Sequence, residues 1–383
     1  MLYAAASISD SASLSPAIRQ AYTEQLKAIR TGFRQLYPEI DFQIALYPES
    51  DFITELLRRA DSDLGPDLII TNTLLAAQLF DLGLMDAPPA ALTEGGLDEG
   101  NQAGSTRPNV EQPLNASAPF AIYPQLACFN KTAITKSPTT TQKLIQMSDA
   151  GVRIGLSTQA SQLIWSAGSN GALPALTAAL EDRNLSKAQK LKLTGWFQWL
   201  QQANRTEGIR FLSNHSQLRK ALANGELDWI SCNSASTTPL RRAMGEQLGV
   251  AALPNGTDHK ASPVNRVRVL AFGSDSTQQQ RLAAQRFASY VMSPIVQQNL
   301  SRQSAAYLPA NRLVKRPQGY AQTFNAMIQA REQAEASEPA ISTFNPYSDN
   351  TRRLTALLTP LIFGQTTAQD TTQQLLKRSR PEP

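Results

Sequence analysis

Apolar positions recur along the chain in short runs of two different periods, and the alternation of those periods predicts the architecture. Across residues 16–36, Ile18, Tyr22, Leu26, Ile29, Phe33 and Leu36 fall three or four apart, the spacing of one helix face. Residues 41–46 alternate apolar with polar, as a half-buried strand does, and 52–60 return to a short helix. Gly65-Pro66-Asp67 then turns into Leu68-Ile69-Ile70, a wholly apolar run of the kind buried on both faces of a parallel sheet. With a short apolar strand at 2–6 in front, the order is β-α-β-α-β, an open α/β unit. Ligands in that architecture meet the loops at the carboxyl ends of the strands, here 7–10 and 71–73.

A helix at 74–82 follows, and residues 93–117, rich in Gly, Asn and Pro with no period, predict a long surface loop. The stretch 118–132, APFAIYPQLACFNKT, organises what comes after it. Pro124 donates no backbone hydrogen bond, so this run does not read as one uninterrupted central strand. It reads as a strand that leaves one sheet, breaks at Tyr123-Pro124, and enters a second sheet as Leu126-Ala127-Cys128-Phe129. That makes it a hinge.

Beyond the hinge, helices are predicted at 141–147, 159–167, 186–203, 216–224 and 278–292, and strands at 152–156, 227–232, 250–253 and 267–272. The helix at 186–203 has the strongest pattern, and its Trp196, Phe197 and Trp199 read as packing rather than as ligand platforms. Residues 233–238 (NSASTT) read as a small polar loop. Three further helices, 318–335, 350–363 and 368–377, make a Gln-rich tail, and the charged end after Lys377 reads as frayed.

Composition narrows the function classes. At 383 residues, about two domains are expected. Hydrophobic content of 42% with 17% charged residues describes a globular protein, and no apolar run approaches the ~20 residues that span a bilayer. The net charge is +5, but Lys and Arg are scattered with no dense basic block, so nucleic-acid binding has little support. Cys128 and Cys232 fall in two apolar, strand-like segments; they read as buried thiols, with a single disulfide open if the strands are neighbours. His215 and His259 lie in polar segments without ligand spacing, so no metal or other cofactor is expected. No G-x-S-x-G, Walker motif or dinucleotide fingerprint occurs, so no enzyme is expected. Met1 to Ser7 run straight into a strand without a charged, apolar and cleavable leader; the protein is cytoplasmic or this version of the sequence lacks its export signal.

Four stretches together resemble the extracellular solute-binding proteins of ABC importers, in the group that includes the maltose- and other sugar-binding proteins. They are Gly65-Pro66-Asp67-Leu68-Ile69, the crossing from Phe120 to Lys131, Phe287 to Gln297 with Tyr307-Leu308-Pro309-Ala310 behind it, and Phe363-Gly364-Gln365-Thr366-Thr367. The resemblance implies an α/β, two-lobed periplasmic-binding-protein-like fold with a ligand cleft between the lobes and a helical C-terminal extension. One lobe would comprise 1–120 and 268–310, the other 121–267 and 311–383. It further implies a non-catalytic monomer that captures a small hydroxyl-rich solute (a sugar, glycoside or polyol), closes on it, and presents it to the transmembrane subunits of a permease. Such proteins face the periplasm or the outside of the cell.

Sugar recognition needs neutral hydrogen-bonding groups and one or two aromatic faces. Positions carried over from the family are Ser7, Ser9 and Asp10 after the first strand, Thr71 and Asn72 after the Gly-Pro-Asp strand, and Tyr123 at the crossing. In the second lobe they are Trp165, then Asn233, Ser234 and Ser236, then Tyr347 and Asn350 at the opening of a C-terminal helix. Each has a structural reading beside the functional one: Ser9, Asp10 and Asn350 as caps, Trp165 as core. Few tryptophans and a small polar loop at 233–238 favour a smaller solute over a long oligosaccharide. The rival readings keep the fold and bind an oxyanion or ferric iron, or keep the solute and serve as a sensing module without a transporter.

Overall fold

The computed structural model describes residues 1–8, 16–88, 117–304, 306–311, 314, 321–341, 344 and 349–377. The chain divides into two units: Met1–Ile122, Arg266–Ser304 and Leu308–Pro317 form unit 1, and Tyr123–Asn265, Ala305–Tyr307 and Gln318–Pro383 form unit 2. Unit 1 begins β1 (Leu2–Ile8), α1 (Pro16–Leu36), β2 (Phe42–Pro48), α2 (Phe52–Ala60), β3 (Leu68–Asn72), α3 (Thr73–Asp81), β4 (Met85–Asp86) and β5 (Ala118–Tyr123). β1 lies parallel to β2, from Leu2 opposite Phe42 to Ile8 opposite Pro48, and parallel to β3 on its other side. Leu68, Ile69 and Ile70 are all buried, as a strand covered on both faces requires.

Unit 2 continues with β6 (Gln125–Asn130), α4 (Thr141–Asp149), β7 (Ile154–Ser157), α5 (Ala160–Ser169), α6 (Leu173–Leu180), α7 (Lys187–Arg205), β8 (Ile209–Leu212), α8 (His215–Ala223) and β9 (Trp229–Asn233). A single 3-10 turn, Ser234–Ser236, leads into α9 (Thr237–Met244) and β10 (Leu248–Ala251). The five-stranded sheet has the order β10-β6-β9-β7-β8. β7 runs parallel to β8 and β9, while β6 runs antiparallel to β9 and β10. Pro124 is the break between β5 and β6, where its missing N–H ends one ladder before the next starts.

The two cysteines are bonded. Cys128 stands opposite Ile230 and Cys232 opposite Leu126, so the pair is diagonal across β6 and β9 with Cα atoms 5.8 Å apart. That separation is in the ordinary range for a disulfide.

The chain then returns to unit 1 as β11 (Arg266–Gly273), α10 (Gln278–Met292), α11 (Pro294–Ser304) and β12 (Leu308–Pro309). These complete a seven-stranded sheet in the order β12-β5-β11-β3-β1-β2, with β4 on β11. β11 is antiparallel to β3, which brings its first residues to the carboxyl end of β3. Phe52, Leu56, Ile69, Leu75, Leu79 and Val269 share one core cluster. Phe33, Phe42 and Phe287 pack ring to ring elsewhere in the unit, Phe42 and Phe287 with centroids 4.4 Å apart.

The Gly-Pro-Asp turn is the joint of this sheet. Asp67 Oδ2 accepts from the Tyr3 N–H at 2.7 Å, its Oδ1 accepts from Ser276 Oγ, and its backbone carbonyl accepts from the Gly273 N–H. A Cβ at Gly273 would come within 1.7 Å of the Pro66 carbonyl oxygen, so only glycine fits there. Burial pushes the Asp67 carboxyl above its ordinary pKa, and the two donors only partly offset this.

The tail helices α12 (Ala321–Glu335), α13 (Glu338–Ile341), α14 (Asp349–Ile362) and α15 (Ala368–Leu376) are part of the core of unit 2. Leu354, Leu358, Leu361, Ile362 and Leu375 join Trp165, Trp196, Phe197 and Trp229 in one cluster.

Several expectations need correction. Ser7 lies within β1 and not in the loop that the short apolar run predicts, because the ladder with β2 runs on to Ile8. The segment 233–238 is not a loop either. Asn233 ends β9 and accepts from the Ala235 N–H, Thr237 Oγ1 donates to the Ser234 carbonyl, and α9 starts at once. Side-chain bonds to the backbone organise a run whose residue types alone disfavour helix. α6, α9 and β8 were not anticipated. α6 is apolar almost all round, so it has no face for periodicity to show, and β8 is only four residues long. Most of the expected loop at 93–117 lies outside the described residues.

Candidate functional site

In unit 1, parallel β1 and β3 place Ser7, Thr71 and Asn72 at their carboxyl ends. Ser7 Oγ and Thr71 Oγ1 are 2.9 Å apart and both side chains are buried. Antiparallel β11 inserts Arg268 at the same edge. Its Nη1 donates to Ser7 Oγ at 3.1 Å, and its Nη2 donates to the backbone carbonyls of Ser7 and Ile70 at 2.7 and 3.1 Å. Asn72 Oδ1 accepts from the N–H groups of Leu74 and Leu75, capping α3, and its Nδ2 donates to Glu49 Oε1 at 3.0 Å. The Glu49 carboxylate also lies 3.9 Å from Arg268 and 4.0 Å from Arg266. The expected residues Ser7, Thr71 and Asn72 are therefore brought together, but as a mutually bonded floor rather than as free groups. Ser9 and Asp10 lie outside the described residues.

The corresponding edge of unit 2 collects the ends of β7 and β9, the first residues of α5 and α8, and the start of β6. Tyr123 is half-buried, with its ring centroid 5.4 Å from that of Tyr307. Asn233 Nδ2 donates to the Tyr123 carbonyl at 3.3 Å, and the Ser234 N–H donates to the Pro124 carbonyl at 2.9 Å. Ser234 Oγ is buried without a partner among the described residues, and Ser236 is buried on the 3-10 turn. Tyr123, Asn233 and Ser234 are thus neighbours. Tyr347 lies outside the described residues, and Asn350 is half-buried in the first turn of α14, one residue inside its start at Asp349.

Trp165 is the clear correction. It was expected to offer a ring face to a solute, yet it is fully buried, edge-on to Trp199 at 6.1 Å and tilted against Trp229 at 6.5 Å. The mostly apolar α5 carries it inward between α7 and the sheet, so the ring is core.

Sequence reading missed other residues at this edge. Gln125, the first residue of β6, is buried and accepts from the Val264 N–H at 3.1 Å. Its Nε2 donates to the Gln162 backbone carbonyl at 3.0 Å and to Gln162 Oε1 at 3.3 Å. His215 Nε2 lies 2.5 Å from the same Gln162 Oε1. The signals were faint: one amide opening an otherwise apolar strand, and a histidine just after an Asn N-cap. Arg268 had a plainer one, a charged residue inside an apolar strand. Among the described residues, no group of three or more His, Cys, Asp or Glu side chains is placed to hold a metal ion. Beside the mutually paired Glu49, Arg266 and Arg268 and the Gln162-bonded His215, the two edges present hydroxyls, amides and peptide groups, donors and acceptors suited to polar, uncharged ligand groups.

Comparison with known proteins adds the following. The sequence model of bacterial extracellular solute-binding proteins matches residues 43–328. Comparison with curated proteins gave no match. Among solved structures, the GacH receptor of Streptomyces glaucescens, known unliganded and with acarbose, is similar at a TM-score of 0.73 and 15% identity, over 99% of this chain and 100% of that one. The maltose-maltodextrin binding protein of Alicyclobacillus acidocaldarius is similar at 0.70 and 15% identity, over 98% and 100% of the two chains. UgpB from Mycobacterium tuberculosis, in complex with glycerophosphocholine, is similar at 0.69 and 16% identity, over 97% and 96%. At such identities the likeness is one of fold.

Proposed function

The chain belongs to the bacterial extracellular solute-binding protein family, and on that premise we propose that it is the substrate-binding component of an ABC importer for a small hydroxyl-rich solute. The solute class is a sugar, glycoside or polyol, and the partner is the transmembrane permease of that importer. The observation that supports the class is the chemistry of the strand-end edges. At the unit 1 edge Ser7, Thr71 and Asn72 are neutral and the charged groups beside them are engaged: Arg268 donates to two backbone carbonyls and to Ser7 Oγ, and Glu49 accepts from Asn72 and lies within 4.0 Å of Arg266 and Arg268. At the unit 2 edge Gln162, Asn233 and Ser234 are neutral. Neutral donors and acceptors in fixed positions suit hydroxyl groups, with Tyr123 as the aromatic face for a sugar ring. The protein is proposed to work as a monomer, without catalysis, on the periplasmic or outer side of the membrane. A buried disulfide in unit 2 fits an oxidising compartment.

The test is a thermal-shift screen of the purified protein against maltose, maltotriose, single hexoses, glycosyl-glycerols and polyols, beside glycerophosphodiesters, phosphate, sulfate, molybdate and ferric ion. A ligand at ~100 times its dissociation constant adds about 2.7 kcal/mol of stability. A shift with a neutral carbohydrate or polyol is the expected result. A shift only with an anion or with iron overturns the solute class.

A further inference from the structure

The four-membered chain of hydrogen bonds at the edge of unit 2 settles an orientation that side-chain amides usually leave ambiguous. The Val264 backbone N–H can only donate, so the Gln125 atom facing it at 3.1 Å is the oxygen, Oε1. The NH2 end of Gln125 must then face Gln162, where it donates to the backbone carbonyl at 3.0 Å. The same NH2 lies 3.3 Å from the Gln162 side chain, so the Gln162 atom there is also an oxygen; a flipped amide would set two NH2 groups against each other. His215 Nε2, 2.5 Å from that oxygen, must therefore carry a proton. One peptide N–H thus dictates the orientation of two glutamines and the protonated nitrogen of a histidine.

The consequence falls on the atom left over. Gln162 Nε2 points away from both donors and has no partner among the described residues. Gln162 is only partly buried, and its Nε2 is not one of the enclosed, unpartnered atoms of the structure. Resting on the solute-binding reading above, we propose that Gln162 contacts the solute in unit 2, presenting Nε2–H to an acceptor oxygen. Gln125 and His215 are positioning residues that prevent the amide from flipping. The site therefore selects at this point for an oxygen with a free lone pair, a hydroxyl or an ether or glycosidic oxygen, and rejects an ammonium or amide N–H. A fixed donor loses no orientational freedom on binding, which a freely flipping glutamine would.

The experiment has a part without solute and a part with it. In the free full-length protein, 15N spectra of the histidine ring should show His215 protonated at Nε2, and the Gln162 side-chain NH2 signals are assigned by their loss in Gln162→Glu. A His215 proton confined to Nδ1 overturns the locked orientation. In the second part, titration of wild-type protein with the carbohydrate or polyol that shifts its thermal midpoint should move the Gln162 NH2 signals. Gln162→Ala should bind that compound about tenfold more weakly, the scale of one lost hydrogen bond, with a small fall in its unliganded midpoint from the lost bonds to Gln125 and His215. His215→Phe, which leaves the amide free to flip, should weaken binding by less. A compound that binds wild-type protein and Gln162→Ala equally well overturns the contact while leaving the carbohydrate reading intact. A panel in which no neutral solute binds overturns that reading and the contact with it, and the His215 result still judges the orientation by itself.

Discussion

Cys128 and Cys232 are both wholly buried and joined diagonally across the antiparallel pair β6 and β9, 104 residues apart in sequence. The bond closes a large loop of unit 2 and sits beside the segment that carries Tyr123, Gln125 and Asn233. In the chain-entropy description, a loop of this size gains about 4.7 kcal/mol from cross-linking, and native disulfides commonly contribute about 2–5 kcal/mol. We expect the double variant Cys128→Ala, Cys232→Ala to lose stability in that range in urea unfolding. The denatured, unreduced wild type should show no reactive thiol. Wild-type stability in the double variant would mean that the bond contributes little.

Trp165→Ala should act on folding. Removing a fully buried indole leaves a cavity beside Trp199 and Trp229, and such truncations cost about 3–5 kcal/mol. The measurement is the shift in urea midpoint. If the variant keeps the wild-type midpoint and loses only solute affinity, the ring is a ligand platform after all.

Tyr123→Ala should act the other way round. The ring is half-buried, and its contact with Tyr307 is worth about 0.5–1.5 kcal/mol. A modest fall in thermal midpoint is therefore expected, together with a several-fold or greater loss of affinity for the solute found in the screen. Calorimetric titration separates the two effects, and unchanged affinity would remove Tyr123 from the site.

Asp228 governs an acid-sensitive contribution in unit 2. Burial pushes its carboxyl up, but hydrogen bonds from the Arg153 side chain and backbone N–H outweigh this and hold its pKa below the ordinary carboxylate value. A depressed folded pKa stabilises the native state above the unfolded value of about 3.9 and stops doing so as pH falls through the folded one. Unfolding curves from pH 6 to pH 2 should thus show wild type losing part of its stability below about pH 4. Asp228→Asn should already be less stable at neutral pH and should lose less on acidification. Parallel pH profiles for the two proteins would rule out this assignment.

The lattice of unit 1 is sensitive at one glycine. Gly273→Ala sets a methyl against the Pro66 carbonyl, so β11 must separate from the turn that Asp67 pins. Overpacking of this kind costs about 1–3 kcal/mol or more. A variant with wild-type thermal midpoint would show that the turn can move aside freely.

Legibility in the sequence followed a physical divide. Long amphipathic helices announced themselves: the periods at 16–36 and 278–292 match Pro16–Leu36 and Gln278–Met292, because each has one buried and one wet face. Pro124 marked the passage from β5 to β6 because a missing donor has the same effect in any context. Elements covered on all sides, such as α6, carry no period to detect. The candidate site was legible only as a set of loop positions. Which polar groups remain available depends on bonds between residues far apart in sequence: Asn72 with Glu49, Ser7 with Arg268, Gln125 with Gln162 and Val264. Those pairings arise from strand order, which no local pattern encodes. Trp165 was misjudged for the same reason, since the residues that cover it come from α7 and β9.

The order in which the polypeptide is made gives the tail helices of unit 2 a further meaning. Leu354, Leu358, Leu361, Ile362 and Leu375 belong to the same core as Trp165 and Trp229, so a nascent chain that has emerged through Asn265 still lacks a wall of that unit. Unit 1 is likewise unfinished until β11 and β12 appear, because they are strands of its sheet. Neither unit can complete its core until these returning segments have been made, so a chain interrupted before them exposes apolar surface in both units.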